Sequence, residues 1–139
     1  TMTAKGIFQK AVHIGTVLWE PEKEETGLLL LRLCLKKQKD GLILSENEYL
    51  FTKGKDFSEV FGLDKPVLDV QLTDGAVKVE NCGSTAALFL FLSREEGERV
   101  LFEDNYFTLL PGEVRKVRAE GNLDFLSLSA LNCDWGVYL

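Results

Sequence analysis

The run from Leu68 to Asn81 limits the choice of fold more than any other part of the chain. Leu68, Val70 and Leu72 alternate with Asp69, Gln71 and Thr73, and the run then turns at Asp74-Gly75. A period of two places one face on a core and the other in water, as a half-buried strand requires. Asp-Gly between two such runs is a strong hairpin signal. A two-residue loop pairs Thr73 with Ala76, Leu72 with Val77 and Val70 with Val79, while Gln71 meets Lys78 on the opposite face. A slip of one residue would turn every side chain over, so turn and pattern specify the same register. This register predicts that Leu72 and Val77 are both buried. It also sets Asp69 opposite Glu80, a mildly unfavourable like-charge pair.

Strands are predicted at Ala86 to Leu92, Arg99 to Phe107, Val114 to Ala119 and Phe125 to Leu131. Turn signals separate them at Asn81-Cys82-Gly83-Ser84, Glu95-Glu96-Gly97, Pro111-Gly112 and Glu120-Gly121-Asn122. No segment sustains a helical period, and Phe57 to Leu63 has room for one short helical turn. Strands at this spacing predict an all-β, immunoglobulin-like antiparallel β-sandwich. Two strands are apolar on both sides. Leu29, Leu31, Leu33 and Leu35 oppose Leu28, Leu30 and Cys34, and Leu88 and Leu90 oppose Phe89 and Phe91. A sandwich strand usually has one wet face, so a second apolar face calls for a partner. At Asp40-Gly41 a two-residue loop would set Leu33 against Glu48. Moving the register by one pairs Leu33 with Tyr49 and Leu31 with Phe51, which predicts a three-residue loop or a bulge.

The 139 residues carry 45% hydrophobic side chains, enough to build a packed core, and a net charge of −6 with a pI near 4.9. That balance excludes nucleic acid as a partner, because phosphate binding needs a concentrated basic face. Lys36-Lys37-Gln38-Lys39 is the densest basic run and reads as a solvated hairpin tip beside Asp40-Gly41. No apolar run approaches the ~20 residues of a membrane span, so no membrane is expected. Thr1-Met2-Thr3 does not open a signal peptide. Cys34, Cys82 and Cys133 lack metal-ligand spacing and read as unpaired core or strand-end residues, which favours a reducing, cytoplasmic setting.

The segment Phe102-Glu103-Asp104-Asn105-Tyr106-Phe107-Thr108-Leu109-Leu110-Pro111-Gly112-Glu113 joins an aromatic run to a turn. Pro111 suits the first central position of a type II turn, and Gly112 the second, where φ is positive. The segment resembles the final β-sandwich domain of β-mannosidases and related exo-acting enzymes of glycoside hydrolase family 2. Val77-Lys78-Val79-Glu80-Asn81 resembles an early strand of that domain. Asp40-Gly41-Leu42-Ile43-Leu44-Ser45-Glu46-Asn47-Glu48-Tyr49-Leu50-Phe51 resembles the closing hairpin of the immunoglobulin-like domain before it. The resemblance runs from about Leu28 to Asn132. It implies two parts: residues 1–57 as the trailing strands of a truncated upstream immunoglobulin-like domain, and residues 58–139 as a C-terminal β-sandwich. The boundary is expected between Lys53 and Pro66.

The resemblance implies a non-catalytic accessory tail that braces the barrel of a retaining family 2 β-mannosidase or a close exo-β-glycosidase. Two other readings stand beside it: a carbohydrate-binding module, and a protein-interaction or oligomerisation module. The partners implied are the remaining domains of the parent enzyme, with self-association through Leu28–Leu35 as a further route. Asn47-Glu48 matches the letters of the family's acid/base dipeptide. That glutamate belongs at a strand end of a barrel of ~250 residues, with a second carboxylate about 5 Å away. Glu48 is therefore expected to be an exposed strand residue, and no catalytic residue is assigned.

His13 has neither the partners of a triad nor those of a metal site, and Glu22, Glu24 and Glu25 read as a solvated loop. No phosphate-cradling glycine loop is present, and no cofactor is expected. Asp104-Asn105-Tyr106-Phe107 has the composition of a sugar-contacting patch, but Phe102 and Tyr106 on one strand face predict core packing instead. Trp19, Trp135 and Tyr138 are the residues expected to touch carbohydrate.

Overall fold

Asp74-Gly75 closes the hairpin in the expected register: Thr73 faces Ala76, Leu72 faces Val77 and Val70 faces Val79, with Gly75 at φ +67°. The computed structural model describes residues 27–54, 56–94 and 99–137, together with 16, 18 and 20. Among them are ten strands: β1 (Leu28–Lys36), β2 (Ile43–Thr52), β3 (Leu68–Thr73), β4 (Ala76–Asn81), β5 (Ala87–Arg94), β6 (Leu101–Phe102), β7 (Phe107–Leu109), β8 (Val114–Glu120), β9 (Leu126–Ala130) and β10 (Cys133–Val137). A 3-10 helix, Ser58–Gly62, occupies the stretch where a helical turn was expected.

Two four-stranded sheets form an immunoglobulin-like β-sandwich, one in the order β3-β4-β8-β6 and the other β10-β9-β5-β7. The strands pair antiparallel throughout. The core lies between the sheets. Val77, Val79 and Val117 come from one, and Leu90, Leu92, Phe107, Leu109, Leu126 and Leu128 from the other. Burial of these side chains is the main favourable term in holding the sheets together, each contributing about 1.5–3 kcal/mol.

Several expectations are corrected. Leu72 is 38% exposed, because β3 is a sheet edge and Leu72 lies near its end, while Val77 opposite is fully buried. The segment from Arg99 to Phe107 is not one strand. It divides into β6 and β7, which belong to opposite sheets. Phe102 and Tyr106 thus do not share a strand face. Phe102 packs against the core, and Tyr106 is 63% exposed. In β5 a bulge between Ala87 and Leu90 puts Ala87, Leu90 and Leu92 in the core cluster, so Leu88 and Leu90 do not simply alternate with the phenylalanines. Cys34 is exposed within β1 rather than in the core, while Cys82 follows the end of β4 and all three cysteines are unpaired, as expected. The strand β10 has no counterpart in the sequence reading.

β1 and β2 form a separate two-stranded sheet. Leu29 faces Phe51, Leu31 faces Tyr49, Arg32 faces Glu48 and Leu33 faces Asn47. The expected pairs Leu33–Tyr49 and Leu31–Phe51 do not form. The expected bulge does form, between Leu35 and Lys36. The loop is longer than a three-residue one: Lys37 N–H donates to Leu42 O and Gly41 N–H to Lys37 O, both at 2.8 Å. Gly41, at φ +71°, supplies the left-handed residue that this wide turn needs.

Candidate functional site

Arg32 and Glu48 form a cross-strand pair on the side of the β1–β2 hairpin that meets the sandwich. Arg32 Nε donates to Glu48 Oε1 at 2.7 Å. Its Nη1 reaches Glu113 Oε1 at 2.7 Å, and its Nη2 donates to Thr108 O at 2.8 Å. Glu48 Oε2 accepts the Thr108 N–H at 3.1 Å. Thr108 lies on β7, the edge of its sheet. The pair therefore satisfies both outward backbone groups of one edge residue, as a neighbouring strand would. Glu48 is not an exposed strand residue: its side chain is 10% exposed and both oxygens are engaged.

Glu113 closes the clamp from the Pro111-Gly112 turn. Glu113 N–H donates to Leu110 O at 3.0 Å, and Gly112 sits at φ +78°, as a type II turn requires. The Glu113 carboxylate also accepts the Leu110 N–H at 2.8 Å. Burial alone would raise the Glu113 pKa, but the hydrogen bonds from Arg32 and from the Leu110 N–H outweigh it and leave the pKa below its ordinary value. Burial pulls the Arg32 pKa down. The hydrogen bonds to Glu113 and Glu48 overcome that, and the guanidinium is held in its charged form.

Arg115 extends the polar network. It pairs with Glu46 at 3.3 Å and Asp104 at 3.1 Å, and lies 4.9 Å above the Phe107 ring in a cation–π contact. Cys34 Sγ donates to Glu46 at 3.3 Å, and this contact, followed by partial desolvation, raises the thiol pKa.

Three asparagines, to which the sequence reading gave no role in fastening one strand to another, fix the surrounding backbone. The side chain of Asn81, fully buried, donates to Thr85 O at 2.8 Å and Leu109 O at 2.9 Å and accepts from Gly83 N–H at 3.0 Å. Its backbone N–H donates to Glu113 O and its carbonyl accepts from Gly112 N–H, so β4 is fastened to the type II turn. Asn132 spans Leu88 N–H and Ala86 O. Asn105 accepts from Leu92 N–H at 2.7 Å and donates to Leu92 O at 2.8 Å, taking the place of a strand partner beside β5.

Next to Asn105 the chain is strained. Tyr106 has φ +60° and Phe89 φ +49°, a region that costs a non-glycine residue about 1–3 kcal/mol. Asn105 Oδ1 holds the Tyr106 N–H at 3.3 Å, and Thr108 Oγ1 holds the Phe89 N–H at 3.3 Å. The Tyr106 ring stacks on Phe91 with centroids 4.9 Å apart and planes 21° from parallel.

None of the three residues expected to touch carbohydrate has a described side chain. Trp19 and Tyr138 lie outside the described residues, as do His13, Glu22, Glu24 and Glu25, and Trp135 is described only as backbone of β10. Among the described residues no cluster of histidine, cysteine, aspartate and glutamate has the arrangement of a metal site. No described helix is long and apolar enough to cross a membrane.

No curated protein and no solved structure matches the chain. Residues 63–127, from just before β3 into β9, match the family model Ig_mannosidase, an Ig-fold domain. Over these residues, just under half of the chain, the sandwich is similar to the Ig-fold domain that this family model describes, in agreement with its immunoglobulin-like architecture.

Proposed function

We propose that the chain is the non-catalytic C-terminal β-sandwich region of a glycoside hydrolase of β-mannosidase type, and that it braces the enzyme's catalytic barrel. The observation that carries this reading is the mannosidase-type match over residues 63–127. Two features support it. The segments that resemble family 2 enzymes are the ones joined by the clamp, since Arg32 and Glu48 reach Thr108 and Glu113. Glu48, the letter match to an acid/base residue, has both oxygens committed. In this reading residues 1–57 are the end of an upstream immunoglobulin-like domain, and the parent cleaves a terminal β-linked mannoside with retention.

The test is an assay of the purified chain and of the longer gene product on aryl β-mannosides. The longer protein should turn over the substrate and the 139-residue chain should not. Turnover by the chain that disappears in Glu48→Gln would overturn the reading. So would a longer protein that acts on another class of bond.

A second reading concerns partners. The outward side of the hairpin shows Leu33, Leu35, Tyr49 and Phe51 at 43–58% exposure, a concentration of apolar surface of the kind that marks an interaction site. In the parent enzyme this side meets a neighbouring domain, and in the isolated chain it drives self-association through Leu28–Leu35.

A further inference from the structure

In β5 the core takes Leu90 and Leu92, which leaves Phe89 and Phe91 on the outer face of the sheet. Such a face is ordinarily polar. Here Phe91 stands across from Ser129 on β9, and Tyr106 stacks on it from the loop before β7. Phe61, from the 3-10 helix, adds a ring that is 72% exposed. Together they line an open groove of about 650 Å³. That volume lies within the ~300–1,000 Å³ range of small-molecule sites. On the far side of Phe89 and Tyr106 lies a second hollow of about 380 Å³, walled by Glu46, Asn47, Glu48, Asp104 and Arg115. Two aromatic side chains thus form a ridge between an apolar groove and a polar one.

We propose that this ridge and its two hollows bind a neutral oligosaccharide of pyranose rings. A pyranose has flat C–H faces that stack on aromatic rings and equatorial hydroxyls that need planar acceptors and donors at the edges. The outward face of the Tyr106 ring, backed by Phe91, supplies the plate. The carboxylates of Glu46 and Asp104, the Asn47 amide and the Arg115 guanidinium line the hollow alongside, while Glu48 stays with Arg32 and Thr108. Carboxylates outnumber the guanidinium among those lining residues, so a chain of uronates would be repelled and an uncharged glycan accepted.

The plate is also held in advance. Asn105 is fixed to both backbone groups of Leu92, and Tyr106 and Phe89 keep left-handed backbones that hydrogen bonds enforce. A surface already in its binding shape loses little freedom when a ligand arrives. The inference rests on this surface alone and does not require the parent enzyme to be a β-mannosidase.

The experiment is an amide-resolved NMR titration of the full chain with mannohexaose, cellohexaose and hexagalacturonate. At least one neutral hexasaccharide should shift the Phe61, Phe91 and Tyr106 signals with millimolar or tighter affinity, and hexagalacturonate should not. Tyr106→Ala and Phe61→Ala should each weaken binding by about tenfold or more. Tyr106→Phe, which keeps the ring, should retain most of it. Phe61 is exposed, so its variant tests the groove even where Tyr106→Ala disturbs the fold. Three results would overturn the proposal: no groove shifts with either neutral sugar at about 10 mM, equal binding by wild type and Phe61→Ala, or tighter binding of the uronate.

Discussion

Arg32 holds the carbonyl of Thr108 at 2.8 Å, from a hairpin that shares no sheet with it. Its cross-strand partner Glu48 holds the N–H of the same residue at 3.1 Å. An ion pair thus does the work of an edge strand. Side chains rather than a ladder join the hairpin to the sandwich, and the joint therefore answers to single substitutions.

Arg32→Ala should cost about 2–3 kcal/mol. It leaves the largely buried Glu48 carboxylate without its cation and the Thr108 carbonyl without that donor. Hydrogen exchange should speed up at the Thr108 amide while the β4 and β9 amides stay protected. Unchanged Thr108 exchange would mean that the clamp contributes nothing.

Acid should open the same joint. Glu113 has its pKa below the ordinary value in the folded chain, so its contribution is fully present above the unfolded pKa of about 4.3. It is lost as pH falls through the folded value. Stability should be flat from neutrality to about pH 5 on this account and drop below pH 4. Glu113→Gln should be less stable at neutral pH and show a shallower acid limb. Parallel acid limbs in the two proteins would remove Glu113 from the explanation.

Val79→Asp should destabilise the sandwich by about 4 kcal/mol or more. Val79 is fully buried opposite Val70, in the layer between the sheets. A melting temperature within a degree or two of wild type would contradict the placement of β4.

Asn81→Ala should cost about 2–4 kcal/mol, since it strands a buried carbonyl, a partly buried one and an N–H. Asn81→Asp should be no milder, because the carboxylate replaces the amide donor that Thr85 O and Leu109 O require. Calorimetry of the two variants checks both orders of magnitude.

Leu33→Asp or Leu35→Asp should reduce self-association of the isolated chain in sedimentation velocity at micromolar concentration. Both side chains are about half exposed. A wild-type chain that sediments as a monomer would end that reading.

The β3–β4 register was legible because a short turn and a clean alternation agreed on it. The β1–β2 register was not. Leu28 to Leu31 offers leucine to both faces, and the turn spans Lys37 to Leu42 with a bulge beside it, so neither local signal chose a face. What separates the faces is Arg32 with Glu48, whose partners lie 76 and 60 residues further along the chain. The break at Asn105 was hidden in the same way. Phe102 to Phe107 reads as continuous strand until the Asn105 amide is seen to occupy a ladder position beside Leu92. Tyr106 and Phe61 escaped because an aromatic residue in a short segment reads as core, and only the completed fold shows which rings were left outside.

Because docking depends on Arg32 and Glu48 standing opposite one another, the sandwich inspects the hairpin it receives. A hairpin zipped one residue out would set Glu48 against a leucine and turn alternate side chains away from Thr108. It would forgo the hydrogen bonds to both backbone groups of Thr108. The clamp thus favours one pairing of a leucine-rich strand whose own side chains would have accepted several.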